Sequence, residues 1–577
     1  MKELLLGNQA VARGAWQAGV SVCASYPGTP STEITEEIAK YPEIKAQWAT
    51  NEKVAMEVAF GASLAGVRSM TCMKHVGMNV AADPMFTSAY TGVNGGMVIV
   101  VADDPGMHSS QNEQDSRYYA RAAHIPMLEP ADSQQCLDYT RYAFALSEAY
   151  DTPVMLRLTT RIAHSRSFVE VGGRAVPPVK PYQKNVTKNV MMPAMAITRH
   201  HAVEEREKRL AEQVSNLPFT HLHMGSTELG IISSGITAQY AREALPEASH
   251  LILGMVYPLP MEIIRSFAGA VKRMVVAEEL EPFIQDQLAA AGIKCEGKEL
   301  FTLQGEYSST MLARALGGPE TVVIAPAENL PGRPPVLCPG CPHRGVFYTF
   351  RRLGITVLGD IGCYTLGALA PLSAMDACLC MGASIGMAMG MEKALGREIS
   401  RKTVAVIGDS TFLHSGMTAL ADAVYNGGNI NVAILDNSIT GMTGHQQNPT
   451  SGFDIYGRPA SAICLEDLCR SLGVEDVHVI DPFDLKGSMA CMKEALAYEG
   501  VSVIVFRRPC ALLPQVAKQK RKLVTISDAC VRCSVCMGLG CPAILKTAEG
   551  MMVDATLCVG CGLCTDLCPK GAIKGEA

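Results

Sequence analysis

The chain has 577 residues, 48% of them hydrophobic and 18% charged, and a formal net charge of −6. That length exceeds one hydrophobic core and implies about four domains. The weak acidity gives no reason for a nucleic-acid or anionic-membrane partner, and the sequence lacks an uncharged apolar run of about eighteen residues such as a bilayer crossing needs.

Over residues 1–178 helical and strand patterns alternate, which predicts a parallel α/β sheet. Residues 97–102 (MVIVVA) read as a strand buried on both faces and closed by the Asp-Asp-Pro-Gly turn that follows; residues 153–158 read as a second strand. Tyr26-Pro27-Gly28-Thr29-Pro30-Ser31 forms a kinked loop with two hydroxyls open to a substrate or cofactor, although its prolines alone account for the kink. The run N-E-K-V-A-M-E-V-A-F-G-A-S opens a helix at Glu52 whose small residues permit close packing, with Glu57 one turn on as the rival acid. Over 179–224 the pattern lapses around a charged helical run at 204–212, read as a surface linker helix; His200 and His201 there read as solvated.

A second α/β unit is predicted over 225–325, with its clearest strands at 229–233 and 274–277. The proline-rich segment 326–335 marks a boundary, and a third α/β unit follows over 335–514, with strands at 403–407, 431–436 and 502–506. The apolar stretch 378–391, with glycines four apart, reads as a buried helix packed closely on a neighbour. A basic linker at 518–522 leads to a last module, 523–577. The expected architecture is three parallel-sheet α/β domains and a small C-terminal α+β domain.

In the third unit, the first strand ends in Gly408, Asp409 and Ser410 and the next in Asn437, Ser438 and Ile439. Neighbouring parallel strands would set these oxygen ligands side by side at their carboxyl ends, where ligands collect. Oxygen ligands suit Mg²⁺, which prefers to bridge a diphosphate. An ordinary turn after each strand is the plainer alternative.

The last module holds two cysteine runs. Cys530, Cys533, Cys536 and Cys541 are spaced C-x-x-C-x-x-C-x-x-x-x-C-P, and Cys558, Cys561, Cys564 and Cys568 are spaced C-x-x-C-x-x-C-x-x-x-C-P. The second run has the two-cluster ferredoxin spacing, in which three thiolates hold one [4Fe-4S] cube and the fourth reaches across to the other. That pairs Cys530, Cys533 and Cys536 with Cys568, and Cys558, Cys561 and Cys564 with Cys541. Zinc sites use separated pairs rather than triplets. The four-residue gap before Cys541 departs from the pattern. With 21 cysteines and no secretory pattern at the N-terminus, the expected compartment is a reducing, oxygen-poor cytoplasm.

The order of Y-P-G-T-P-S, the Glu52 helix, the G-D-S…D-N pair and the two-cluster module resembles the 2-oxoacid:ferredoxin oxidoreductases along essentially the whole chain, and among them the alpha subunits of the indolepyruvate branch. The strand-end pair is similar to the G-D-G…N motif of thiamine diphosphate enzymes, with Ser410 where glycine is usual. The resemblance implies a pyrimidine-binding domain over 1–178, a transketolase C-terminal-like domain over 225–325 and a diphosphate-binding domain over 335–514. It makes Glu52 the activating glutamate, Thr29 a substrate-loop threonine, and Tyr26 and Gly28 parts of the cofactor loop. Asp409, Asn437 and the Ile439 carbonyl would hold Mg²⁺ between Gly408 and Ser410, with His343 near the diphosphate. His75 and Arg117 are further site candidates, the latter equally well explained by a surface ion pair. Cys338, Cys341, Cys363 and Cys510 follow the order of cysteines that hold a third [4Fe-4S] cluster near thiamine in related enzymes; buried structural thiols are the alternative.

The activity so implied is oxidative decarboxylation of aryl 2-oxoacids such as indolepyruvate, phenylpyruvate and hydroxyphenylpyruvate. Coenzyme A would take the acyl group and a soluble ferredoxin the electrons, with a smaller beta subunit completing an α2β2 assembly. The alternatives are the same chemistry on pyruvate or 2-oxoglutarate, and a non-catalytic electron-transfer subunit.

Overall fold

The computed structural model describes residues 1–319, 330, 332, 334–519 and 522–575. Parts of the expected proline-rich boundary and basic linker, and the expected domain end at 325, lie outside the described residues. The chain divides into two compact units, Met1–Pro326 and Ala327–Ala577.

The first unit is built on a seven-stranded sheet ordered Met255–Tyr257, Met127–Leu128, Val154–Thr159, Met97–Asp103, Ser69–Lys74, Val22–Ser25 and Lys45–Trp48. Six of these strands run parallel, and Met255–Tyr257 pairs antiparallel with Met127–Leu128. All seven residues of Met97–Asp103 are buried. Its β-branched side chains are covered on both faces, as a central parallel strand requires, and burying each contributes about 1.5–3 kcal/mol. A second, four-stranded sheet runs Arg273–Ala277, Ser226–Ser233, Ala248–Leu253 and Thr220–His223.

The two sheets share one core. Met97, Ile99 and Val101 belong to the same buried cluster as Ile232, Leu251, Val276 and Phe283. The chain also crosses from one sheet to the other between Leu253 and Met255. The linker expected over 179–224 is therefore corrected. Helix Pro193–Gln213 buries Val203, Arg206 and Leu210, and Thr220–His223 is the edge strand of the second sheet. Charged residues on its outer face hide the inward stripe from a composition reading. His200 is partly solvated, meeting the Tyr90 hydroxyl at 2.6 Å and Glu204 at 3.1 Å.

A buried charge network fastens the two sheets. Arg117, 1% exposed, donates to Asp115 at 2.5 Å, to Glu278 at 2.5 Å and to the carbonyls of Glu279 and Glu281. Arg157 donates to Asp103 at 2.7 Å and Glu129 at 2.6 Å. The expectation of a surface ion pair at Arg117 is corrected, because its guanidinium lies in the interior and is committed to this clasp. Removing one partner from such a pair costs about 3–5 kcal/mol, since the other charge is left buried alone.

The second unit carries a six-stranded, wholly parallel sheet ordered Ala377–Cys378, Thr356–Gly359, Thr403–Gly408, Asn431–Asp436, Ser502–Arg507 and Asp476–Ile480. Strand order reverses between Thr356–Gly359 and Thr403–Gly408, which makes the crevice at their carboxyl ends the place for a ligand. The buried helix expected over 378–391 is corrected: the helix is Ala383–Leu395, and Gly386 and Gly390 face outward with no atom within 4 Å of an added Cβ. The C-terminal module consists of two antiparallel pairs, Val524–Ile526 with Ile573–Gly575 and Ile544–Lys546 with Met551–Val553.

One titration follows from the clasp. Burial pushes the Glu279 carboxyl up from 4.5 to about 7, Arg157 opposing and Glu306 and Glu129 reinforcing the rise. The native chain then holds a proton that the unfolded chain has lost between these two values, so stability falls as pH rises through that window. The full effect is at most roughly 3 kcal/mol. Chemical-denaturation midpoints taken at about pH 5 and about pH 8 should fall for the wild type and fall distinctly less for Glu279→Gln, which still accepts from Tyr307 N. Equal declines would contradict the assignment.

Candidate cofactor and cluster sites

In the first unit the carboxyl ends of three parallel strands collect the candidate residues. Strand Val22–Ser25 leads into the 26–31 loop, in which Ser31 Oγ donates to the Gly28 carbonyl at 2.8 Å and is thus used internally. Strand Ser69–Lys74 ends at Lys74, whose Nζ donates to the Ser109 carbonyl at 2.8 Å. Ser109 Oγ in turn reaches the Thr29 carbonyl at 3.4 Å. An added Cβ on Gly28 would lie 3.5 Å from Lys74 Cβ. Burial lowers Lys74 to about 8, opposed by the Asp104 and Glu52 carboxylates.

Glu52 opens helix Glu52–Leu64, which Asn51 caps by accepting from Val54 N at 2.9 Å. It is buried, and an added Cβ on Gly77 would stand 2.6 Å from its Oε1, so the glycine is what admits this carboxylate against helix His75–Thr91. Glu57 is exposed and paired with Lys53, whereas Glu52 is buried. His75 is buried, with Nε2 3.2 Å from both Asn112 O and Oδ1 and Nδ1 without a partner among the described residues. Burial lowers its pKa, with the Asp103 carboxylate opposing. Tyr26 is buried at the loop entrance. Thr29, Gly28, Lys74 and Glu52 therefore come together, His75 adjoins them, and Arg117 stays in the clasp.

In the second unit, Asp409 and Asn437 stand at the ends of neighbouring parallel strands, with Gly408 in register with Leu435. Asp409 is buried and accepts from Ser410 N at 2.7 Å and Thr450 Oγ1 at 3.2 Å. Burial, with Asp436 adding to it, raises its pKa to about 7. A divalent cation would reverse that shift, because a positive charge favours the ionised form. Asn437 Nδ2 lies 3.5 Å from His343 Nε2, and Asn437 Oδ1 accepts from Ile439 N at 3.2 Å. His343 is fully buried and burial lowers it to about 4, so it presents a neutral acceptor to the amide. Ser410 Oγ accepts from Thr440 Oγ1 at 2.9 Å, so the residue that replaces the usual glycine bridges the two strand-end loops. The helix that starts at Asp409 has a π-turn at Phe412–Gly416, a distortion common beside functional sites.

Sequence reasoning passed over Asp360. It sits at the other side of the strand reversal, follows a Gly-Asp step like that at 408–409, and accepts from Ile361 N, Gly382 N and Ser384 N at 2.7, 3.0 and 3.3 Å. Burial raises it to about 6. The repeated Gly-Asp at a strand end was the available signal. Lys74, too, went unread, although it opens the K-H-V-G-M-N run in which His75 is a candidate.

All the cysteines are free thiols. Cys338, Cys341, Cys363 and Cys510 gather beside Asn437. Cys363 Sγ would lie 3.4 Å from an added Cβ on Gly441, and Asn437 Nδ2 3.9 Å from it, while Cys510 N donates to the Asn437 carbonyl at 3.0 Å. Burial lifts Cys363 to about 11, with Cys510 and Cys338 adding to the rise. In the C-terminal module, Cys530, Cys533, Cys536 and Cys568 line one apolar cavity with Ile526 and Met551. Cys541 keeps company with the other run: burial raises Cys564 to about 12, and Cys561, Cys541 and Cys558 reinforce it. Among the described residues no three His, Cys, Asp or Glu side chains close on the point a single ion occupies. The set of Cys530, Cys533, Cys536 and Cys568 encloses a space, as a cube requires. Ala572 N donates to Cys568 Sγ at 3.2 Å and Gly560 N to Cys558 Sγ at 3.4 Å, contacts of the kind that tune a cluster's potential.

The crossed grouping makes a testable claim. Cys541→Ala with Cys564→Ala should remove no more iron than either change alone, because both belong to one set. Cys541→Ala with Cys536→Ala should remove iron from both sets. The reverse pattern, by iron determination on anaerobically purified protein, would show that each cysteine run closes on itself.

Three family models match the chain: "Pyruvate flavodoxin/ferredoxin oxidoreductase, thiamine diP-bdg" over residues 13–217, "Thiamine pyrophosphate enzyme, C-terminal TPP binding domain" over 360–506, and "4Fe-4S binding domain" over 551–574. The chain is 40% identical to the indolepyruvate oxidoreductase subunit IorA of Archaeoglobus fulgidus, with 99% of this chain and 97% of that protein covered. It is 42% identical to the subunit of the same name from Methanothermobacter marburgensis, with 99% and 97% covered. The subunit of that name from Pyrococcus horikoshii is 40% identical, with 99% and 97% covered. The chain thus belongs to the IorA family of indolepyruvate oxidoreductase subunits.

Proposed function

We propose that the chain catalyses the ferredoxin-dependent oxidative decarboxylation of aryl 2-oxoacids, indolepyruvate foremost, to acyl-CoA and CO₂. The observation that carries this reading is the placement of the Asp409–Asn437 strand-end pair beside four free cysteines within one unit. On this reading a phosphorylated cofactor and a first electron acceptor would stand side by side. Thiamine diphosphate, when bound, supplies the electron sink for decarboxylation; the protein binds and orients it.

The residues divide the work by chemistry. Asp409, Asn437 and the Ile439 carbonyl would hold Mg²⁺, and His343 keeps the Asn437 amide turned. Glu52, in its buried seat against Gly77, is the carboxylate that would be available to an aminopyrimidine ring. Lys74, an ammonium beside Glu52 and the Thr29 loop, offers a cation to the substrate carboxylate. Thr29 and His75 orient the 2-oxo group. A desolvated lysine binds an anion more strongly than a surface one, because the same charge acts through a lower dielectric.

Cys338, Cys341, Cys363 and Cys510 would hold one cube and the two cysteine sets of the C-terminal module two more, and these would supply one-electron carriage toward a soluble ferredoxin. A smaller beta subunit completes an α2β2 enzyme, coenzyme A accepts the acyl group, and the compartment is an oxygen-poor cytoplasm. Among the described residues no helix is long and apolar enough to cross a membrane.

The test is an anaerobic assay of the chain co-expressed with its beta partner, supplied with thiamine diphosphate, Mg²⁺, coenzyme A and a low-potential dye. Reduction should be fastest with indolepyruvate and slower with pyruvate and 2-oxoglutarate. Asp409→Asn should weaken thiamine diphosphate binding by more than about tenfold, the lower bound even for an outer-shell partner of a metal site. Preference for pyruvate or 2-oxoglutarate would move the substrate class. Reduction with none of the three, with clusters intact, would leave an electron-transfer subunit.

A further inference from the structure

Arg344 lies in the first turn of helix His343–Leu353 and is 2% exposed. Three of its features are individually unfavourable. Its charge is buried, where an isolated ion costs several kcal/mol even after relaxation. Among the described residues no carboxylate pairs with it, and the thiols of Cys541, Cys341, Cys338 and Cys561 are among the ionisable groups near it. It also stands at the N-terminal end of a helix, where the backbone dipole opposes a cation. Arg117, the comparable buried arginine of the first unit, has two carboxylates instead.

Its donors are spent on four backbone carbonyls from two loops. Nε donates to Cys338 O at 3.1 Å and Nη2 to Leu337 O; Nη1 donates to Leu539 O at 3.3 Å and to Gly540 O. The second loop is the four-residue gap before Cys541 that departs from the two-cluster spacing. Gly540 adopts φ +67°, and an added Cβ there would stand 2.9 Å from Pro371 Cδ and 3.3 Å from Arg344 Nη1. The lengthened gap thus supplies the two carbonyls that receive the guanidinium. On the other side, Gly340, at φ +73°, brings the 338–341 loop against the second cysteine run, with an added Cβ 2.6 Å from Val559 Cγ2 and 3.5 Å from Cys561 Cβ.

A guanidinium ringed by carbonyls and thiols, with no carboxylate, is balanced when the thiols become thiolates around an anionic cube. We propose that Arg344 is a positioning residue that joins the cysteine set beside the cofactor site to the set of Cys541, Cys558, Cys561 and Cys564. It fixes their spacing through the four carbonyls and raises the potential of both cubes by its charge. The proposal rests on the reading that Cys338, Cys341, Cys363 and Cys510 hold a cube. The step it serves moves one electron from that cube, which is oxidised, to the next, which is reduced, with no bond made or broken. A fixed cation favours the more negative, reduced state of each, since net charge is one of the determinants of cluster potential.

Arg344→Gln and Arg344→Lys, made in the full chain with its partner subunit and purified anaerobically, test this. Iron per chain is determined first, then the cubes are titrated potentiometrically by electron paramagnetic resonance. With iron retained, Arg344→Gln should shift the one-electron equilibrium of the two neighbouring cubes about tenfold toward oxidation, a fall of about 59 mV. The Cys530, Cys533, Cys536 and Cys568 cube should not move. Arg344→Lys should keep the potentials but slow the passage between the cubes, because a point charge does not reproduce the planar fork. Unchanged potentials in Arg344→Gln at full iron would overturn the proposal. If that variant loses iron, Arg344→Lys decides: wild-type potentials with slowed transfer support it, and a wild-type transfer rate overturns it. Wild-type protein with iron for only two cubes would instead overturn the third-cube reading, and this proposal with it.

Discussion

The reversal of strand order in the six-stranded sheet of the second unit is the constraint on which the rest depends. A parallel sheet aligns the carboxyl ends of its strands, and a reversal leaves two adjacent ends with their following helices on opposite faces. Asp360 follows one of these ends and Asp409 the other, and Asn437 follows the next strand along. Each polar group is thus delivered to the same edge by the backbone, before any side-chain contact is made. Burial raises both aspartates, and the N–H and hydroxyl groups that donate to them oppose the rise.

Buried charge is handled in two contrasting ways. In the first unit the network of Arg117, Arg157, Asp103, Asp115, Glu129 and Glu278 pairs each cation with carboxylates, and its role is to fasten one sheet to the other. In the second unit His343, Arg344 and Cys341 are buried, and Cys338, Cys363 and Cys510 half-buried, without comparable compensation. A closed network reads as structure, and an open one as a place for a charged group that the chain does not itself provide. The contrast lets geometry, independently of motifs, separate clasp from site.

Much of this was legible in the sequence because period and spacing report local geometry. The strands at 97–102, 403–407, 431–436 and 502–506 lie within a residue of their observed bounds, since each is a short apolar run closed by a turn signal. The cysteine triplets likewise encode tight loops. Long-range partners were not legible. Nothing near Arg117 announces Glu278, which lies 161 residues away. Nothing in a charged helix announces that its inner stripe covers a core, nor that residues 220–223 complete a sheet. The glycines of Ala383–Leu395 face outward because small residues mark close approach without saying to what. Arg344 was invisible for the same reason, two of its four acceptors lying nearly two hundred residues downstream.

The central claim is that a thiamine-type site on this chain feeds electrons into iron–sulfur clusters on the same chain. The most direct measurement is a single turnover: the anaerobic, cofactor-loaded enzyme is mixed with indolepyruvate and coenzyme A without an external acceptor, and cluster absorbance is followed. The account predicts prompt bleaching in the wild type and none in Glu52→Gln with equal iron. Equal bleaching in both would contradict it, as would a wild-type enzyme with full clusters and bound thiamine diphosphate that does not bleach with any 2-oxoacid.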